Sequence, residues 1–166
     1  MDEETKKWIV KIEEVKKGEV DLSRDEDLSI ALMNLISLEE HFYFTAMKTN
    51  NGKYLDMLNS VRELRKKLLV RIVANPQGEE WCISKHLLAS SMRLMEVGTK
   101  ELAKNNEQDS NFFFKSSFNL YSLFFAINMK IIGTKDLKED SKVEYKQGFM
   151  QKFSEIVKKI VDCCKE

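Results

Sequence analysis

Ser110–Ile132 reads SNFFFKSSFNLYSLFFAINMKII, and seven of the residues from Phe112 to Phe125 are aromatic. With 3.6 residues per turn, Phe114, Phe118, Tyr121 and Phe125 fall on one line. Phe113, Leu120, Phe124 and Ile127 lie beside it. So wide an apolar face fits a helix covered from several sides, the central helix of an all-helical protein. In the alternative reading, Phe112, Phe113 or Phe125 emerges into a patch for a partner or a second copy. Met92 and Met95 would then line an adaptable groove.

The flanking sequence continues the helical pattern. Before the aromatic stretch comes a polar loop, Asn105–Asp109, and Gly133 closes it. Upstream, Glu79–Lys104 carries Trp81, Leu88, Met92, Met95 and Leu102 at helical spacing. Asn75–Pro76–Gln77–Gly78 separates it from Lys53–Val73, because proline drives the preceding residue out of helical geometry. In Lys53–Val73, Tyr54, Leu58, Val61, Leu68 and Ile72 face one way, and Arg62, Arg65, Lys66, Lys67 and Arg71 crowd the rest. A helix from Ser23 to Lys48 opens on the capping-box pattern Ser23–Arg24–Asp25–Glu26 and ends at Thr49–Asn50–Asn51–Gly52. Its stripe is Leu28, Leu32, Leu35, Phe42 and Ala46. Asp2–Lys17 reads as a further helix with a narrow face of Trp8, Ile12 and Val15. Ser141–Lys142–Val143–Glu144 is a second capping box, opening a last helix to Cys164.

No stretch alternates apolar and polar residues as a half-buried strand does. The fold class is therefore all-α, a single antiparallel helical bundle of five to six helices. Residues 1–166 form one domain in this reading. Residues 1–22 make a peripheral N-terminal helix and linker, and residues 23–164 make the bundle core.

Gly98 on one helix is followed on the next by Ser110, Phe114, Ser117 and Leu120. In that order of small, Phe, small and Leu positions, Leu94–Tyr121 resembles a tetratricopeptide helix hairpin. It departs from the repeat in having Glu101 at the Tyr place, no Pro after the second helix and no second copy at an offset of about 34 residues. The resemblance implies a packed helix hairpin and no inherited peptide-binding function.

Composition narrows the chemistry. The 166 residues hold 27 basic and 27 acidic side chains, two His, three Cys and one Pro. Zero net charge exerts no general pull toward nucleic acid or anionic membrane, so neither is expected as a partner. The most apolar run, Leu120–Ile132, is shorter than the roughly 20 residues of a membrane span. Nor does an apolar leader follow Met1, and the reading is cytoplasmic. Cys82 stands alone and Cys163–Cys164 are adjacent, which disfavours a disulfide framework. No phosphate-cradling Gly-rich loop, Gly-x-Ser-x-Gly elbow or Cys-x-x-Cys pair is present, and the balance leans away from an enzyme.

Cys82 and His86, at i and i+4, share a helix face at a spacing that suits two ligands to zinc or another transition metal. Glu39 falls within an apolar stripe, and His41 is close to it in sequence. Glu39 or His41 would complete such a site with Cys82 and His86. Against this, Glu39 would be satisfied equally well by Arg62 or Arg65 on the adjacent helix, since a buried carboxylate needs a partner. The leading expectation is a non-catalytic bundle acting through protein–protein contacts or self-association, with a protein partner or homo-oligomer as its complex. A transition-metal-binding bundle is the alternative.

Overall fold

A computed structural model describes residues 22–130 together with Val10 and Glu14. The described residues form helices and turns and no strand, in keeping with an all-α fold. Four helices follow in order: α1 (Ser23–Thr49), α2 (Lys53–Ile72), α3 (Glu80–Ala103) and α4 (Glu107–Asn128). Of the helix expected at Asp2–Lys17, only Val10 and Glu14 are described, both helical. The helix expected from Ser141 lies outside the described residues.

Asparagines make the breaks. Asn50, Asn75 and Asn105 each take a left-handed backbone, with φ of 49°, 49° and 57°. Asn enters this region more readily than most residues because its short polar side chain bonds locally. Two expected boundaries need correction. The cap expected at Ser23 is shifted by one residue: Leu22 occupies the cap position and makes no side-chain cap hydrogen bond, and Ser23 is already helical. The polar loop ends earlier than expected, because Asn106 caps α4 by accepting from the Asp109 N–H at 3.4 Å. Glu107 and Asp109 then fall in the first turn, where acids complement the helix dipole.

Consecutive helices pair into antiparallel hairpins. Packing is most extensive between α3 and α4, then between α1 and α2, and α1 on α3 joins the two hairpins. Ser29 near the start of α1 meets Tyr121 late in α4, and Ser84 near the start of α3 meets Asn128 at the end of α4. The helices at the seam, α1 and α3, therefore run parallel. The expected antiparallel order holds within each hairpin and not between them.

The core occupies one end of this arrangement. Leu32, Leu69, Leu88, Phe124 and Ile127 are all fully buried. They come from the first half of α1, the second half of α2, the first half of α3 and the second half of α4. Toward the opposite end, where the turns at Asn50 and Asn105 lie, Met47, Leu102 and Phe112 are exposed. Met95 and Leu102 thus continue the helical stripe of α3 without being covered. The aromatic helix is divided in the same way: Tyr121, Phe124 and Phe125 are buried, and Phe112 is 64% exposed.

Small residues hold α3 and α4 together. Ser84, Ser91 and Gly98 recur every seven residues on α3, and all three are buried. Opposite them, Ser110 and Ser117 are buried on α4. The Ser91 hydroxyl donates to the Ser117 carbonyl at 2.9 Å, and the Ser117 hydroxyl donates to the Ser91 carbonyl at 2.7 Å. This reciprocal bonding requires the two backbones to come close. At Gly98 a Cβ would stand 2.8 Å from the Phe114 ring, closer than real Cβ contacts allow. Helix propensity favours Ala over Gly by about 1 kcal/mol, whereas overpacking costs about 1–3 kcal/mol. Gly98→Ala should therefore lower the free energy of urea unfolding in the wild-type background. With Phe114→Ala already present, the same change should raise it by about 1 kcal/mol, its intrinsic helix preference.

Candidate functional site

Among the described residues, Glu39 and Arg65 form the best-buried ion pair that joins two helices. Arg65 Nε donates to Glu39 Oε1 at 2.7 Å and Arg65 Nη2 donates to Oε2 at 3.1 Å. The Arg65 side chain is 4% exposed and that of Glu39 is 14% exposed. The planar guanidinium fits a carboxylate in this two-bond fashion and satisfies both charges. Of the two partners expected for Glu39, Arg65 is therefore the one engaged, and Arg62 is exposed. The role of the pair is architectural: it fastens α2 to α1 where the apolar core gives out.

The other members of the expected metal set lie apart from this pair in character. His41 is exposed on α1, its ring edge against Phe42 at a centroid distance of 6.3 Å. Cys82 is an exposed free thiol, and His86 is exposed one turn along α3. Among the described residues, no three His, Cys, Asp or Glu side chains gather as a ligand set. Cys82 and His86 supply two ligands, and a structural zinc takes four.

His41 instead lines a cavity of about 370 Å3 between α1 and α3, with Glu40, Phe44, Thr45, Lys48 and Arg93. Its one cross-helix tie is Glu40 to Arg93, with Arg93 Nε donating at 2.9 Å and Nη2 donating to the same Glu40 oxygen. Phe44 stacks edge-on with Tyr43 at 5.2 Å, and Met47 lies one turn farther along the helix. Tyr43, Phe44 and Met47 are 48%, 53% and 56% exposed. A charged concavity beside an aromatic–methionine patch is suited to contact with another macromolecule: the ring faces and thioether supply adaptable apolar area, and Lys48 and Arg93 supply donors. In the sequence Phe42 falls on the core stripe of α1, and Tyr43, Phe44 and Met47 lie beside it. The signal for this face is the triplet Tyr43–Phe44–Met47, which continues no buried stripe.

A second polar system ties the closed end. The Ser29 hydroxyl donates to the Glu26 carbonyl at 2.6 Å, and its oxygen lies 2.6 Å from the Tyr121 hydroxyl. With its proton committed to the carbonyl, Ser29 accepts from Tyr121. Farther along, Glu80 accepts from the Gln77 N–H at 2.9 Å and pairs with Lys130. Burial alone would raise the pKa of Glu80, but Lys130 and the Gln77 N–H more than offset it, so the carboxyl titrates below its ordinary range. Among the described residues, no buried side-chain polar atom lacks a partner. Nor is any helix long and apolar enough to cross a membrane.

Two outcomes follow for stability. Arg65→Met leaves Glu39 half-buried without its cation and should destabilise by about 3 kcal/mol, whereas Glu39→Leu with Arg65→Met should recover most of the loss. Thermal unfolding of the single and double variants checks this. Burial pushes the Tyr121 pKa up to about 12, the charges of Glu26 and Asp27 act in the same direction, and only the Ser29 hydroxyl opposes them. The unfolded phenol ionises near pH 10, so the contribution of Tyr121 is complete below that pH and is lost as pH rises toward 12. Tyr121→Phe should flatten this alkaline decline when unfolding is followed by circular dichroism.

No protein-family model, curated protein or solved structure matches this chain.

Proposed function

We propose that this protein is a non-catalytic helical module that works through protein contacts, with a second copy of itself or another protein as partner. The observation that carries the reading is the one-ended core. At the end where α1 and α3 begin, Leu32, Leu69, Leu88, Phe124 and Ile127 are fully buried, and Ile30 and Val70 are the exposed apolar residues there. Tyr43, Phe44, Met47, Leu102 and Phe112 are exposed toward the turns of both hairpins. Single exposed apolar residues are ordinary on any protein. A group that includes two adjacent aromatics and a methionine beside a charged concavity has the composition of an interface centre and its polar rim. The balanced net charge fits selective contact better than general electrostatic attraction. A cytoplasmic setting, which keeps the exposed Cys82 thiol reduced, is part of the same proposal.

Light scattering across about 1 to 100 µM covers the range in which modest protein contacts form and dissociate. The expected result is a mass that rises above the monomer with concentration, and a return to monomer in Phe44→Ser/Met47→Ser with helicity unchanged. A strict monomer throughout the range removes self-association. Retention of the higher mass by the double variant removes the Tyr43–Phe44–Met47 patch as its basis.

A further inference from the structure

We infer that the outer face of α2 is a docking surface for an acidic amphipathic helix, on a side of the molecule that the reading above does not use. Among the described helices, α1 is the main packing partner of α2. The inward face of α2 is accounted for, since Tyr54, Leu58, Val61, Arg65, Leu69 and Ile72 are all buried or half-buried. Turned away from them, Lys53, Met57, Ser60, Leu64, Lys67 and Arg71 follow one another at spacings of four, three, four, three and four residues. That is the spacing of a coiled-coil seam, with Met57 and Leu64 as its two apolar members, running for about 27 Å of helix. Every member is exposed, with Met57 46% and Leu64 49% accessible.

The chemistry of the seam specifies its occupant. Met57 and Leu64 stand two turns apart and offer the apolar knobs of a helix–helix contact. The remaining charged members are all basic. Lys53, Lys67 and Arg71 make no side-chain ion pair among the described residues; off the seam, Arg65 pairs with Glu39 and Lys66 with Glu63 at 2.9 Å, while Arg62 is exposed. Asp56 and Glu63 flank the seam on one side, and Glu63 is already neutralised by Lys66. A second α2 would bring like charges face to face, which disfavours a symmetric pairing. A helix with apolar residues seven apart and Glu or Asp opposite Lys53, Lys67 and Arg71 would bury Met57 and Leu64 and pair all three cations.

The test uses the full chain and a labelled peptide of roughly 20 residues with two Leu seven apart, to face Met57 and Leu64, and Glu at the positions that face Lys53, Lys67 and Arg71. Fluorescence anisotropy should show binding that weakens as salt is raised, because the charges lie at the rim. Lys67→Glu/Arg71→Glu should weaken it by about tenfold or more, and the matching peptide with Lys in place of Glu should then bind the reversed protein. Leu64→Asp should remove binding, and Phe44→Ser/Met47→Ser should leave it unchanged, which separates this surface from the patch near the turn. The inference is overturned if the acidic peptide fails to bind. It is also overturned if charge reversal leaves its affinity unaltered. Attachment to phosphatidylglycerol vesicles without attachment to the peptide would likewise overturn it, since that outcome makes α2 a membrane-surface helix.

Discussion

Serine hydroxyls and one glycine determine how closely α3 and α4 approach, and the other helices take their places from that contact. The seam Ser84–Ser91–Gly98 presents no bulk to α4, so the helices can be drawn together until Ser91 and Ser117 bond each other's backbones. A larger residue at any of these positions would push the axes apart and break two hydrogen bonds at once. Close approach also fills the space beside the seam: the Phe114 ring lies directly over Gly98. The rigid pair then offers α1 a surface of Leu87, Leu88, Tyr121 and Phe125, the apolar ground on which the second hairpin is built.

From that foundation the structure becomes progressively more polar. At the closed end, apolar burial dominates, and the hydroxyls present there are satisfied locally, as Ser29 is by Glu26 and Tyr121. Toward the middle, charged pairs take over: Glu39 with Arg65 between α1 and α2, and Glu40 with Arg93 between α1 and α3. The first is shielded from water and geometrically demanding. The second is half exposed, so its net contribution to stability is small and its value lies more in register. Beyond these pairs, toward the turns, the helices keep their apolar residues but lose cover for them. The gradient separates two roles within one short chain: a closed end that maintains the fold and an open end with surface available for contacts.

The contact module proposed above rests on this polarised core. Here the enclosed polar groups bond one another to fasten helices, and the one cavity described above opens between α1 and α3 beside exposed aromatics. The outer face of α2 adds a second surface of different chemistry, basic where the turn end is aromatic. Two such surfaces on separate elements would allow two contacts to be made independently.

Sequence alone determined the segmentation of the four described helices. Helical periodicity is a short-range property, set by residues three and four apart, and the breaks at Asn50, Asn75 and Asn105 are local backbone choices. The partner of Glu39 could be narrowed to Arg62 or Arg65 because a carboxylate on an apolar stripe must find a nearby cation. The resemblance of Leu94–Tyr121 to a helix hairpin rested on residues that do meet, Gly98 with Phe114 above all. What only the tertiary structure decided was which length of each stripe is covered. Met95 and Leu102 share the helical stripe of Leu88 and Met92, yet they are exposed. The seven-residue recurrence of Ser84, Ser91 and Gly98 was present in the sequence but reads as a polar face until Ser117 is placed across from it. Periodicity states which side chains share a face. Burial depends on what stands opposite, and that is settled by residues far away in the chain.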